Sequence, residues 1–258
     1  MREAPKPRFL SIASIAFCLL LWFVLTDVSG LISQKYLSSP IALAREFVLL
    51  LQTGYAGTPL WLHFAASLGR TLAGYTLSVL VAVPLGLIMG LSPTVRALLS
   101  PIFNLMRPVP VIALIPLMVL WFGIGETSKI FVIFLASFLY IVLNTTAGVA
   151  TIPEGLIRAG LNLGANRFAL FWRVIFPASL PSIMTGMKTG LAVSWAVVVA
   201  AELLAAQRGL GYMIQDAATF YRIKDVYIGV ILIGVAGLLM TNALSAIESR
   251  VIHWAGKS

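Results

Sequence analysis

The chain has 258 residues, of which 60% are hydrophobic and only 10% are charged. Soluble domains carry about a quarter charged residues, so this composition excludes an ordinary soluble protein and predicts an all-α membrane protein. Lys and Arg number 18 against nine Asp and Glu, a net charge of +9. We interpret this excess as the positive-inside bias of a multi-pass protein. Nucleic acid binding needs basic residues clustered on a soluble domain, and the sequence has no such cluster.

Six apolar stretches predict about six transmembrane helices within one transmembrane domain that spans residues 1–258. The first stretch is longer than the apolar core of a signal peptide, about 7–15 residues, so we expect an uncleaved span. The predicted spans lie at residues 9–28, 70–91, 98–122, 127–150, 178–205 and 226–248.

The third span contains four prolines, which remove backbone donors and clash with the preceding turn. We therefore expect a kinked or broken helix there. Broken backbone inside a membrane is tolerated where it lines a cavity or is buried in protein, and the alternative is a kink that only serves packing. The prolines are Pro101, Pro108, Pro110 and Pro116.

Residues 29–69 differ from the spans. Pro40 to Leu51 is mostly apolar but short, and it carries Arg45 and Glu46. A second piece, Thr58 to Arg70, contains polar residues. We predict two separate helices that lie at the membrane surface or against the bundle.

The distribution of Lys and Arg predicts the orientation. With the N-terminus inside, 11 of the 18 Lys and Arg residues fall on the inner side and seven on the outer side. Both termini and the polar segment 151–177 are then expected in the cytoplasm, and residues 206–224 outside.

Segment 151–177 is predicted to form two short helices. Thr151 and Glu154 have the spacing of a capping box, and Glu154 and Arg158 are one helical turn apart, so a helix should begin here. It should run to about Leu163, with Gly164 in the turn that ends it. A second helical piece is expected over residues 166–176, ended by Pro177 before the next span.

The same segment resembles the EAA loop of ABC-importer permeases, whose pattern is E-A-A-x3-G-x9-I-x-L-P. Ala159, Gly164 and Pro177 match this pattern outright. Four positions depart from it, with Arg158 for Glu, Gly160 for the second Ala, Val174 for Ile and Phe176 for Leu.

Other segments resemble the nitrate, sulfonate and taurine branch of the same permeases. The likeness runs from about Tyr36 to Arg250 and is strongest to taurine and alkanesulfonate permeases. Residues 144–149 look equally like the nitrate permeases. The segments that carry the resemblance are 106–110, 120–130, 200–203 and 208–213.

The resemblance implies a type I ABC importer permease that works as a homodimer in the bacterial cytoplasmic (inner) membrane, surrounded by lipid. It implies two ATPase subunits and a periplasmic or lipid-anchored substrate-binding protein as partners, and no nucleic acid. It implies no cofactor in this chain, since ATP binds to the ATPase. The residues it assigns to ATPase coupling are Glu154, Arg158, Ala159, Gly160, Gly164 and Pro177.

The chain ends Gly256-Lys257-Ser258, which mimics the tail of a P-loop. A P-loop needs a glycine five residues earlier, where Val251 stands, so we predict neither ATPase nor other catalytic activity here. The single cysteine, Cys18, and the distant pair His63 and His253 predict no metal site.

Four residues are candidates for a translocation pathway or gate. Glu202 near the outer end of the fifth span is a gate or a structural partner of Arg208. Trp195, on the same helix face, lines the path or packs. Lys188 and Arg107 either attract an anion near the inner opening or anchor the topology.

Two other classes of protein, secondary transporters and membrane-embedded enzymes, fit the sequence less well. A secondary transporter needs internal repeats, which the sequence lacks, and a membrane-embedded enzyme needs a catalytic constellation, which Glu202 alone does not provide. For the cargo, the resemblance favours a small sulfonate such as taurine, with nitrate or a similar small anion as the alternative.

Overall fold

The computed structural model describes residues 8–29, 33 and 36–252, and these form helices and turns without a β-strand. The predicted all-α class is confirmed. His253, the P-loop-like tail, and four of the basic residues counted for topology, Arg2, Lys6, Lys35 and Lys257, lie outside the described residues. The helices are α1 (Arg8–Phe23, continued by a π turn at Val24–Val28), α2 (Pro40–Thr53), α3 (Leu60–Leu91), α4 (Pro93–Met106), a 3-10 turn (Val111–Leu114), α5 (Ile115–Phe122), α6 (Glu126–Ala150), α7 (Glu154–Asn162), α8 (Arg167–Leu170, continued by a π turn at Phe171–Ile175), α9 (Phe176–Ala205), α10 (Leu210–Thr219) and α11 (Ile223–Val251).

Helices α3 and α6 run parallel to each other in close contact. A Cβ added to Gly74 would lie 2.7 Å from Ile133, and one added to Gly86 would lie 2.6 Å from Thr145. The contacts advance in the same direction along both helices, and only glycine allows backbones this close. These two glycines therefore serve contacts between helices of the same chain.

Helix α9 packs antiparallel to α6, again through glycine. A Cβ on Gly186 would lie 2.7 Å from Asn144, and one on Gly190 would lie 3.0 Å from Ile141. Helix α11 is in turn antiparallel to α9. Helices α3, α6 and α11 all begin at one end of the bundle, which we call the Arg70 end. We call the opposite end the loop end.

The segment between α3 and α6 must return the chain from the loop end to the Arg70 end, because these two helices are parallel. Helix α4 makes the first part of this return, and the Val111–Phe122 helix makes the second at an angle of 83° to it. The break contains Pro108 and Pro110, so the third predicted span is a broken crossing, as the prolines predicted.

Four described helices are long and apolar enough to cross a membrane, or five if the bent pair counts as one span. They are Leu60–Leu91, Glu126–Ala150, Arg167–Leu204 and Ile223–Val251. The first predicted span corresponds to a shorter apolar helix, Ala13–Val28. The six predicted spans therefore require both the bent pair and this shorter helix to cross.

The predicted boundary at Arg70 is wrong, because residues 60–91 form one helix of 32 residues. The polar residues that suggested a surface helix, among them His63 and Ser67, are fully or almost fully buried. They point toward the α9–α10 connection, which satisfies their hydrogen bonds. Helix α2 does remain separate and packs Leu43 and Leu50 in one apolar cluster with Ile228 of α11.

Candidate functional site

Residues 151–177, for which the resemblance predicts ATPase coupling, connect α6 to α9 at the loop end, and we call them the coupling segment. Helix α7 begins at Glu154 as predicted, but the expected capping box is wrong. The residue before the helix is Pro153, and no described side chain caps this terminus. The Thr151 hydroxyl instead donates to the carbonyl of Ala147 at 2.9 Å, so it closes the end of α6.

The predicted pair on α7 is present. Arg158 Nη2 donates to Glu154 Oε2 at 2.6 Å, and the two side chains are 75% and 80% exposed. An ion pair this exposed contributes about 0–1 kcal/mol to stability. Both charges are therefore accessible to a partner protein.

Two glycines shape the turn after α7. A Cβ on buried Gly160 would lie 2.9 Å from Leu170 Cδ1, so its absence lets α7 lie against the next helix. Gly164 has φ of +80°, a conformation that L side chains rarely adopt. Its N–H donates to Leu161 at 2.9 Å and closes the helix. Ala159 is exposed beside them.

Pro177 does not end the second helical piece, which corrects the prediction. Asn166 caps α8 by accepting from the Ala169 N–H at 2.8 Å, and the chain then continues without interruption as an apolar helix over 38 residues, Arg167–Leu204. The π turn at Phe171–Ile175 explains this, because it widens the helix directly before Pro177 and accommodates a residue that has no N–H to donate.

The coupling segment exposes apolar and basic side chains together. An exposed apolar patch among polar residues is typical of a protein-binding site. Its apolar residues are Leu156 (50% exposed), Leu161 (51%), Leu163 (89%), Phe168 (74%) and Trp172 (50%), and its exposed basic residues are Arg158, Arg167 and Arg173.

A second polar cluster lies at the Arg70 end, inside the bundle. Glu202 is 1% exposed and accepts hydrogen bonds from Ser67 Oγ at 2.7 Å, Arg70 Nη1 at 2.6 Å and the Gly211 N–H at 2.9 Å. The predicted partner, Arg208, contributes only its backbone carbonyl, which accepts from Arg70 at 2.6 Å. The ion-pair partner of Glu202 is therefore Arg70, which the sequence did not identify.

The other edge of the Arg70 guanidinium holds Glu126 at the start of α6. Arg70 Nε and Nη2 donate to the two carboxylate oxygens of Glu126 at 2.6 Å and 2.8 Å, and Lys129 Nζ lies 3.3 Å from the same carboxylate. Sequence reasoning counted Arg70 and Lys129 only as topological charges. A basic residue inside an otherwise apolar helix was the available indication.

His63 and Tyr55 complete this end of the bundle. The His63 ring lies between the Tyr55 carbonyl at 3.3 Å and the backbone of Gly209 at 3.2 Å. The Tyr55 hydroxyl donates to Asp216 at 2.8 Å, and burial together with this carboxylate raises the pKa of Tyr55. Tyr55 therefore stays a protonated donor and joins the α2–α3 connection to α10.

The remaining predicted pathway residues are separated from this cluster. Trp195 is 8% exposed and donates to the carbonyl of Ile233 at 2.8 Å, so it packs α9 against α11. Lys188 forms an ion pair with Glu248 of α11. Neither residue is an unpaired charge or a free aromatic side chain at a cavity.

Arg107 lies at the break between α4 and the 3-10 turn. The sequence predicted a position near the inner opening, at an end of the bundle. Phe103, one turn earlier, contacts Phe138 near the middle of α6 edge to face, with ring centroids 5.9 Å apart. Arg107 is exposed and forms no ion pair with any residue that the structure describes. In the same described part, no group of His, Cys, Asp and Glu is arranged to hold a metal ion.

Residues 82–253 match the family of binding-protein-dependent transport system inner membrane components. The chain belongs to this family. It is 43% identical to the taurine transport system permease TauC of Escherichia coli, over 96% of this chain and 90% of that protein. It is 34% identical to the putative aliphatic sulfonates permease SsuC of E. coli, over 96% and 91%, and 32% identical to the nitrate import permease NrtB of Synechocystis, over 93% and 85%.

The chain is therefore a permease subunit, a transport component, of an ABC importer. The resemblance noted in the coupling segment is confirmed at the level of the family. Membership also implies that an ATPase and a substrate-binding protein act with this chain.

Proposed function

We propose that this permease imports a small anion, taurine or an alkanesulfonate, across the cytoplasmic membrane. The observation that carries the proposal is the 43% identity to a taurine permease over nearly the whole chain. The alternative cargo is nitrate or another small anion, which the 32% identity to a nitrate permease supports.

We infer that α7 and the exposed apolar face of the coupling segment bind the ATPase subunit, which hydrolyses ATP. Leu163 and Phe168 have little to pack against within the chain, and a groove on a partner would bury them. Arg158 and Glu154 flank this face, and Gly160 and Gly164 set its shape.

We propose that the loop end faces the cytoplasm, together with both termini. The exposed basic residues of the coupling segment and Arg250 lie there, in agreement with the positive-inside rule. The Arg70 end then faces outward, where a binding protein delivers the cargo.

We propose that the working unit contains two copies of this chain and two ATPase subunits. The face of the broken crossing is apolar and uncovered in the single chain, and a second copy would cover it. The exposed residues that support this interface are Leu98 (71% exposed), Leu105 (77%), Leu120 (78%) and Ile124 (77%).

Among the pathway candidates, Arg107 is the residue we assign to the path. An ionisable side chain at membrane depth faces protein or a water-filled cavity, and Arg107 is exposed near mid-height, beside irregular backbone. We assign Trp195 and Lys188 to contacts between α9 and α11, and Glu202 to holding the outer end of the bundle closed.

The cargo is tested by deleting the gene in its host and supplying it again on a plasmid. We expect the deletion strain to fail on taurine or an alkanesulfonate as sole sulfur source and to grow on sulfate. Failure only on nitrate as sole nitrogen source would establish the alternative. Normal growth in all these media would contradict the small-anion proposal and leave the family assignment intact.

A further inference from the structure

A cavity of about 320 Å³ opens beside the buried ion pairs at the Arg70 end. It lies between the start of α6 and the α9–α10 connection, and small-molecule sites begin near this size. The lining of the cavity contains three cationic side chains and one carboxylate. The lining includes Arg70, Glu126, Lys129, Gln207 and Arg208.

The position of Arg70 is fixed by two acceptors on one edge of its guanidinium. Glu202, whose side chain is fully buried, and the Arg208 carbonyl each accept from Nη1 at 2.6 Å. The opposite edge, Nε and Nη2, is thereby fixed toward the cavity. A fixed guanidinium edge binds the paired oxygens of a carboxylate or another oxyanion.

The carboxylate of Glu126 accepts hydrogen bonds from that edge, but its side chain is far more exposed than those of Arg70 and Lys129. Its side chain is 58% exposed, against 7% for Arg70 and 5% for Lys129. A carboxylate this accessible is hydrated if it swings away from the guanidinium, and its departure leaves Nε and Nη2 of Arg70 and the ammonium of Lys129 facing the cavity. Glu126 also follows Gly123 and Gly125, and Gly123 has φ of +79°.

We propose that Arg70 and Lys129 form an oxyanion site that Glu126 fills in this conformation, and that a sulfonate or similar small oxyanion takes the site when Glu126 moves away. The carboxylate of Glu126 stands in for the two ligand oxygens that the guanidinium edge would hold. Arg208, exposed and without an ion pair in the described part of the chain, adds positive potential at the opening. This inference rests on the proposed small-anion cargo.

The test uses the purified permease–ATPase complex with a single cysteine, Gln207→Cys, in a Cys18→Ala background. Two thiol reagents of similar size are compared, one carrying a sulfonate and one a quaternary ammonium. Glu126→Gln should raise the ratio of their labelling rates about tenfold in favour of the sulfonate reagent, because it removes the carboxylate that fills the site. Gln215→Cys, exposed on α10, is the matched control and should not change.

Methanesulfonate is the competing probe. It should slow labelling at position 207 in the Glu126→Gln complex and not at position 215, and adding Lys129→Met should remove this protection. Glu126→Asp, which keeps the charge but shortens its reach, provides a second variant with partial protection should Glu126→Gln fail to assemble. An unchanged labelling ratio, or protection that survives Lys129→Met, would overturn the site.

Because labelling needs no transport, its outcome is independent of the growth test. A complex that shows protection while cells import some other nutrient refutes only the cargo. Confirmed sulfonate uptake without protection refutes only the site.

Discussion

Arg70 of α3 and Glu202 of α9 form an ion pair across 132 residues of sequence, with Nη1 and Oε1 2.6 Å apart. Both side chains are buried, 7% and 0% exposed. Removing two charges from water costs several kcal/mol each, and the pair is tolerated only because its other donors and acceptors are satisfied. Ser67 and the Gly211 N–H complete the shell of Glu202, so the α9–α10 turn is tied to α3.

Arg70→Met should destabilise the permease by about 3–5 kcal/mol, since it leaves the carboxylate of Glu202 buried and unpaired. We expect a large fall in the thermal unfolding temperature of the detergent-solubilised complex. Arg158→Met is the matched control, because its ion pair is exposed, and should shift the stability of the permease by no more than about 1 kcal/mol. Equal effects of the two substitutions would show that the buried pair is not structural.

Leu163→Asp should abolish transport and capture of the ATPase while leaving the amount of permease in the membrane near normal. The side chain is 89% exposed, so the new charge affects a partner surface rather than the fold. Gly164→Ala adds no charge but strains the left-handed turn by about 1–2 kcal/mol, so it should reduce coupling less. Gln215→Asp, at the other end, should transport normally. A Leu163→Asp complex that retains its ATPase would remove the segment from the interface.

The orientation is checked with single cysteines at the two ends of the bundle, in a Cys18→Ala background. Asn162→Cys marks the coupling segment and Gln215→Cys marks the Arg70 end, and both positions are exposed. Only position 215 should react with an impermeant thiol reagent added to intact, outer-membrane-permeabilised cells. Labelling at 162 and not at 215 would reverse the proposed orientation.

Arg107→Ala should lower anion uptake at least about tenfold, because it removes the unpaired cation that we assign to the path at mid-height. Initial uptake rates in vesicles containing the ATPase and binding protein measure the effect, and Arg107→Lys should restore part of it. Arg250→Ala makes the same change of charge at the loop end and should have little effect. If both alanine variants transport equally, Arg107 does not face the path.

Properties that depend on local sequence were predictable. Hydropathy predicted the membrane class, the four prolines predicted the break in the third span, and the i,i+4 pair Glu154–Arg158 predicted the start of α7. Each of these depends on residues that are close together in the sequence. Two predictions about the same segments were wrong because one residue could serve either of two structural roles. The Thr151 hydroxyl was available both to α6 and to α7, and Pro177 is compatible with a helix end and with a position directly after a π turn.

By itself the sequence determined that this is a helical membrane protein, because apolar length is a property of neighbouring residues, and its resemblance to known permeases indicated the family. Only the tertiary structure decided that α3 and α6 run parallel, that Arg107 therefore lies near mid-height, and that Glu202 pairs with Arg70 rather than Arg208. Those relationships arise from glycine contacts and buried charges between helices far apart in the chain. The charges of Arg70 and Glu202 depend on each other because packing has excluded the water that would otherwise solvate them.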